Sequence, residues 1–160
     1  GGPLAETRGG EPGYIYADAS GEIGFQAWTV RDGELIYVDG EWTEKERDAL
    51  IICEKELLAS TWGLVALRPW MPQSVVSYTD NTVAMAAMRR MAPRSAVMQD
   101  VMVRRVDYLM RHDVLEEARR ITSKANLWAD LGSRGRSSEV VRQAVELGLR
   151  VRRGDGPCEG

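Results

Sequence analysis

The stretch "YIYADASGEIGFQAW", Tyr14–Trp28, decides how this chain folds. Tyr14, Ile15 and Tyr16 are strand formers, and a turn at Ser20-Gly21 leads into a second apolar run, "IGFQAWTV". A turn at Asp32-Gly33 comes next, then "ELIYVD", which ends at Gly40. Asp-Gly between alternating runs signals a hairpin, so the three runs predict an antiparallel meander. Asp18 closes the first of them. A carboxylate beside a buried strand must be paired, hydrogen-bonded or bound to a metal, because an isolated buried charge is very costly. Its counterpart has to come from elsewhere in the chain.

Beyond the meander, strands and helices alternate. Thr43 and Glu46 form a capping box in "TEKE", which opens one long helix running to Leu67. Pro69 and Pro72 end it. "SVVSYTD" is a short β-branched strand, "NTVAMAAMRRM" a helix broken by Pro93, and "SAVMQDVMVRRVDYLMRH" a second helix. "VLEEARRI" reads as a strand, "LWADLGSR" starts a further helix, and "SSEVVRQAVELGLRVRR" has helical periodicity throughout. Strands joined through helices predict a mixed sheet with helices packed on it, an α/β architecture.

The 160 residues and 44% hydrophobic content suit one domain with a substantial core. "GGPLAETRGGEPG", residues 1–13, reads as a flexible leader suited to excision from a longer polyprotein; residues 14–153 form the folded domain, and 154–160 a disordered tail. No apolar run approaches a membrane span. Cys53 and Cys158 make neither a disulfide framework nor a zinc site; as free thiols they suit a reducing, intracellular compartment, cytoplasm or nucleus. The net charge of −3 argues against a generally adhesive nucleic-acid binder. It conceals an asymmetry, however. Residues 1–60 hold 13 Asp/Glu against 5 Lys/Arg, whereas residues 85–153 hold 15 Lys/Arg against 8 Asp/Glu. A basic half of this kind can track a phosphate backbone.

Asp80 closes the fourth strand, Asp130 opens a late helix, and Glu54 and Glu56 lie in the first long helix. If the first and fourth strands are adjacent and parallel, Asp18 and Asp80 meet at the C-terminal end of the sheet, where sites gather in open α/β folds. Carboxylates brought together cannot all ionise without a counter-charge, and a hard divalent cation such as Mg²⁺ supplies one. Two such ions can activate water and stabilise the leaving oxygen of a phosphodiester. Small residues at Ala49, Ala59, Ser60 and Gly63 give Glu56 a face that can approach the sheet closely. Leu50, Ile51, Leu57 and Leu58 around Glu54 can equally form the packed face, so periodicity leaves both glutamates open.

The words "ADASGEIG", "EKELLA", "YTDN" and "NLWADLGSR" occur in this order, with separations of 38, 24 and 50 residues between their acids. Together they resemble the ribonuclease H domain of retroelement reverse transcriptases, of the LTR or tyrosine-recombinase retrotransposon type, over Tyr14 to Arg134. The resemblance implies a mixed five-stranded sheet: a three-stranded antiparallel meander plus parallel strands, flanked by helices. It implies hydrolysis of the RNA strand of RNA/DNA hybrids with two Mg²⁺ ions, Mn²⁺ being a substitute. The hybrid would be one partner and a fused or associated reverse transcriptase polymerase domain another, with no membrane. By motif match the metal ligands are Asp18, Glu56, Asp80 and Asp130; the family word places the functional acid before "LLA", which selects Glu56 over Glu54.

Around these ligands, Ser20 and Gly21 shape a turn that the resemblance places near the hybrid's backbone. Asn81 caps the next helix or bonds a nucleotide, and Asn126 orders the loop that delivers Asp130. Arg89 and Arg90, with Arg94, Arg104 and Arg105, are the candidates for gripping phosphates. Trp128 reads as core. Met85, Met88, Met91, Met98, Met102 and Met110 read as a packed helical layer. Many ribonucleases H carry a histidine shortly before the last aspartate. Here "TSKANLWAD" has none, and the only histidine, His112, lies too early. Lys124 occupies that neighbourhood and can contact phosphate, though not as a neutral imidazole. Two other readings compete: a non-catalytic nucleic-acid-binding or structural module on the same fold, and an integrase- or resolvase-type nuclease.

Overall fold

β1 (Gly13–Ala19), β2 (Gly24–Arg31) and β3 (Glu34–Glu41) form the antiparallel meander. In the β2–β3 turn both Asp32 (φ 51°) and Gly33 (φ 75°) take positive φ, as a two-residue hairpin turn of primed type requires. The computed structural model describes residues 10–90 and 92–155. Leader residues 1–9, Met91, and the end of the tail at 156–160 with Cys158 lie outside the described residues.

β4 (Ser74–Thr79) runs parallel to β1, and β5 (Leu115–Arg120) parallel to β4. A sixth strand, β6 (Arg150–Arg153), joins parallel to β3. The sheet order is β5-β4-β1-β2-β3-β6. Six strands replace the five expected, because the last stretch read as helix divides. α6 (Ser137–Glu146) stops where Gly148 adopts φ 83°. Its N–H bonds the carbonyl of Val145 (2.9 Å) and that of Leu149 the carbonyl of Ala144 (3.0 Å), the pair of bonds that closes a helix through a left-handed glycine. Arg150 then turns into the sheet.

The single long helix expected from Thr43 also divides. Thr43 and Glu46 make both capping bonds of α1 (Glu44–Ala49). The chain then extends through Leu50 and Ile51 before α2 (Ile52–Leu67). Glu54 supports this second start, its Oε1 accepting the Ile51 N–H at 3.0 Å. α3 (Thr82–Met88), α4 (Ala96–Arg111) and α5 (Leu127–Ser133) complete the helices.

α2 packs across β1, β2 and β3 on one face, over Ile15, Ala17, Ala27 and Val38. Gly63 permits this approach: a Cβ there would stand 2.5 Å from the Ala27 methyl. α5 and α6 cover the opposite face through Leu131, Val140 and Ala144 against Leu35. Met88, Met98 and Met102 are buried with Leu57 and Ala87, as a packed layer requires. Met110 is not part of it, being 74% exposed. Arg105 corrects another expectation. It is fully buried, its guanidinium held by Glu116, Thr61 Oγ1 (2.8 Å) and Ser60 Oγ (3.2 Å), and so cannot grip a substrate. Among the described residues no helix is long and apolar enough to cross a membrane.

Candidate active site

The parallel register of β1 and β4 pairs Tyr16 with Tyr78. Two residues further on stand Asp18, near the end of β1, and Asp80, just past the end of β4, close together at the C-terminal end of these parallel strands. α2 delivers Glu56 over that end from its second turn, on the small-residue face that includes Ala59, Ser60 and Gly63, all buried. One carboxylate oxygen from each of Asp18, Glu56 and Asp80 lies within 4.8 Å of the others. Asp18 and Glu56 are only 5% and 3% exposed. The Ala19 N–H donates to Asp18 Oδ1 (3.0 Å) and to Glu56 Oε1.

Burial is the chief cause that pushes the Asp18 carboxyl up, to about 6; the hydrogen bond with Glu56 opposes the rise, and the charge of Asp80 adds to it. Glu56 is pushed up further, first by burial and then by the charges and hydrogen bonds of Asp18 and Asp80. These acids crowd one another, and each carboxylate disfavours ionisation of the next. A cluster of hard oxygen donors with unbalanced negative charge fits a divalent cation. Glu54, the alternative ligand, is engaged elsewhere, through the Ile51 N–H and Ser95 Oγ (2.7 Å).

Asp130 sits in the first turn of α5, half-exposed, with Oδ1 paired to Arg134 Nε at 3.1 Å. It lies outside the 4.8 Å group, yet its charge contributes to the rise at Asp18. Asn126 is buried, and its Nδ2 donates to the Ala17 carbonyl at 3.0 Å, tying the start of α5 to β1. Ser20 Oγ accepts from the N–H groups of Ile23 and Gly24 and donates to the Ser133 carbonyl at 2.7 Å. That side chain shapes the β1–β2 turn and binds it to the end of α5. Asn81 caps α3, its Oδ1 accepting from Ala84 N at 2.8 Å. Arg89 donates Nε and Nη2 to the outward carbonyl of Ala118 on the edge strand. Arg90 and Lys124 are exposed. Trp128 packs against Trp28 and donates to Gln143 Oε1 at 2.8 Å. His112 ends α4 against Tyr108.

Sequence reasoning passed over Lys55. It is buried, and Nζ donates to the carbonyls of Gly21 (2.7 Å) and Arg47 (2.9 Å). The residue beside Glu56 therefore holds the turn that comes after Asp18. No periodicity marks it; its only sign is a lysine between two glutamates at the start of a helix that packs on the sheet.

No family model and no curated protein matches this sequence. Solved structures do. The chain superposes on ribonuclease H1 from the halophilic archaeon Halobacterium salinarum NRC-1 with a TM-score of 0.61 at 14% identity, covering 81% of this chain and 99% of that one. The fold is that of ribonuclease H. LC11 ribonuclease H1, solved in complex with an RNA/DNA hybrid, gives a TM-score of 0.60 at 11% identity, covering 81% of this chain and 97% of that one. The N-terminal ribonuclease H domain of a Mycobacterium tuberculosis protein, solved as a fusion with maltose binding protein, gives 0.57 at 14% identity, with 77% and 96% covered. At these identities the likeness is one of ribonuclease H architecture. The chemistry rests on the carboxylates of this chain.

Proposed function

We propose that this chain is a metal-dependent endonuclease that hydrolyses the RNA strand of RNA/DNA hybrids, and that residues 14–153 are the ribonuclease H part of a retroelement reverse transcriptase. The observation that carries this reading is the convergence of Asp18, Glu56 and Asp80 within 4.8 Å at the end of two parallel strands. The retroelement context rests on the four sequence words and their order.

Asp18 and Asp80 would hold or bridge two divalent cations, Glu56 would hold one and Asp130 the other. Mg²⁺ suits the all-oxygen donor set, with Mn²⁺ as substitute. When bound, the ions supply acidity to water and neutralise charge on the reacting phosphate. The buried ends of β1 and α2 fix the carboxylates before substrate arrives. The Ala19 N–H, shared between Asp18 and Glu56, keeps their oxygens facing one another. Products would carry 3′-hydroxyl and 5′-phosphate ends. Arg90, Lys124 and the Ser20-Gly21 turn are the proposed contacts to the hybrid, whose RNA strand is distinguished by its 2′-hydroxyls. Asn126 acts through the backbone of β1.

Labelled RNA/DNA hybrid, RNA duplex, single-stranded RNA and branched DNA test the reading, each with Mg²⁺, with Mn²⁺ and with chelator. Cleavage confined to the hybrid, dependent on metal and abolished in Asp80→Asn, is the expected result. Hybrid binding without cutting would make the chain a holding module. Cutting of branched DNA would make it a resolvase-type nuclease.

A further inference from the structure

Asp130 is held differently from the other three acids. Asp18, Glu56 and Asp80 face one another, while Asp130 faces Arg134 one helical turn away. α5, which carries Asp130 and ends just before Arg134, is anchored at both ends. Asn126 at its start bonds the Ala17 carbonyl of β1, and Ser20 of the β1–β2 turn bonds the Ser133 carbonyl at its end. Gly132 lies so close to β2 that a Cβ would stand 2.0 Å from Gln26 Cδ. The backbone of α5 therefore cannot swing to carry Asp130 inward; side-chain rotation is the available motion. Both side chains have that freedom, with 36% of Asp130 and 58% of Arg134 exposed.

Three other cations near the site have fixed partners. Lys55 is buried on two carbonyls, Arg105 on Glu116, and Arg89 on Ala118. The Arg134 pair is solvated, and such pairs separate at little cost. A guanidinium released from a carboxylate suits a phosphate equally well, since both offer two oxygens to its planar fork.

We infer that Arg134 is an exchangeable counter-ion: it holds Asp130 until a divalent cation takes that carboxylate, and then passes to a phosphate of the nucleic-acid strand. This rests on the metal-dependent reading above. It makes Arg134 a positioning residue for Asp130 and a binding residue for substrate, with opposite effects on the two ligands. Removing it should strengthen metal binding and weaken hybrid binding.

The test measures Mn²⁺ binding by calorimetry and by the paramagnetic resonance of free Mn²⁺, in the wild type, Arg134→Gln, Arg134→Lys and Arg136→Gln. Arg136 pairs with Glu139 on the neighbouring helix, so its variant controls for the loss of one surface charge. In Arg134→Gln the weaker Mn²⁺ site should tighten about two- to fivefold, the range set by a solvated ion pair. KM for hybrid cleavage should rise by a similar factor with kcat less affected. Arg134→Lys should lie between, and Arg136→Gln should match the wild type. An unchanged or weakened Mn²⁺ site in Arg134→Gln, beside two-site binding in the wild type, overturns this inference alone. So does a tightening that Arg136→Gln reproduces. A wild type that binds no Mn²⁺ overturns the inference together with the metal-dependent reading.

Discussion

α2 passes between two groups of buried charge that obey opposite rules. At its N-terminal end, Glu56 meets Asp18 and Asp80, three acids whose oxygens converge. One turn later, Ser60 and Thr61 meet Arg105, whose guanidinium is also paired with Glu116, and Glu116 accepts in turn from Ser77 Oγ at 2.8 Å. In the second group each charge has an opposite charge and further hydrogen bonds, so nothing more is required. In the first, burial and neighbouring negative charge both push the carboxyls up. The difference separates a buried charge that holds the fold from one prepared for a ligand.

The comparison can be broken most directly at Arg105. Replacing it by Met leaves Glu116 buried without its counter-charge, and about 3–5 kcal/mol of stability should be lost in denaturant titration. A loss below about 1 kcal/mol would mean that the two groups do not differ as described. At the acidic group the sign reverses. In chelator, Glu56→Gln should raise stability at pH 8 by roughly 1–3 kcal/mol, since it removes a carboxyl that burial and two neighbours disfavour as an anion. Destabilisation by Glu56→Gln under those conditions would show that the group is already compensated.

Asp18 sharpens the contrast through pH. Its folded value of about 6 lies above the ordinary 3.8. A carboxyl raised on folding favours the folded state fully below the unfolded value, and this contribution is lost as pH climbs through the folded one. Metal-free wild type and Asp18→Asn should therefore converge in stability near pH 4. They should separate between about pH 4 and 6 and stay apart above that, the variant being the more stable, and thermal melts across that range would show it. Millimolar Mg²⁺ should then raise the melting temperature of the wild type and close the gap, because a ligand bound only by the folded state stabilises it. The smallest effect is expected at His112. It lies at the end of α4 against Tyr108, away from both groups, and His112→Ala should change stability by less than about 0.5 kcal/mol and leave cleavage unaltered.

Much of this arrangement was legible in the residues. Asp-Gly at 32–33, the capping box at Thr43 and the alternation of strand and helix signals led to the meander and to parallel strands ending at Asp18 and Asp80. Local chemistry sufficed there, because a primed turn or a helix cap depends on neighbours a few residues away. Where local signals competed, the reading failed. "ELGLRVRR" continues a helical pattern until Gly148 closes the helix, and only the free edge of β3 makes a strand of Arg150–Arg153. Leu50 and Ile51 interrupt a run of helix formers, since Glu54 begins a new helix behind them. Arg105 looked like one more exposed arginine until Glu116, contributed by another element, gave it a buried partner.

The sequence by itself determined the meander, the strands that follow it and most of the helices, and that Asp18 and Asp80 close strands able to meet; turn geometry, capping and apolar periodicity act over short distances. Periodicity left Glu54 and Glu56 open and the family word chose Glu56, but only the tertiary structure turned that acid towards Asp18 and Asp80, buried Arg105, placed Lys55 beneath the Gly21 turn and set Asp130 against Arg134. Those outcomes depend on which groups arrive from distant segments. A charged side chain favours solvent unless the fold supplies a counter-charge or hydrogen bonds, so its place is settled by partners that sequence neighbours do not reveal.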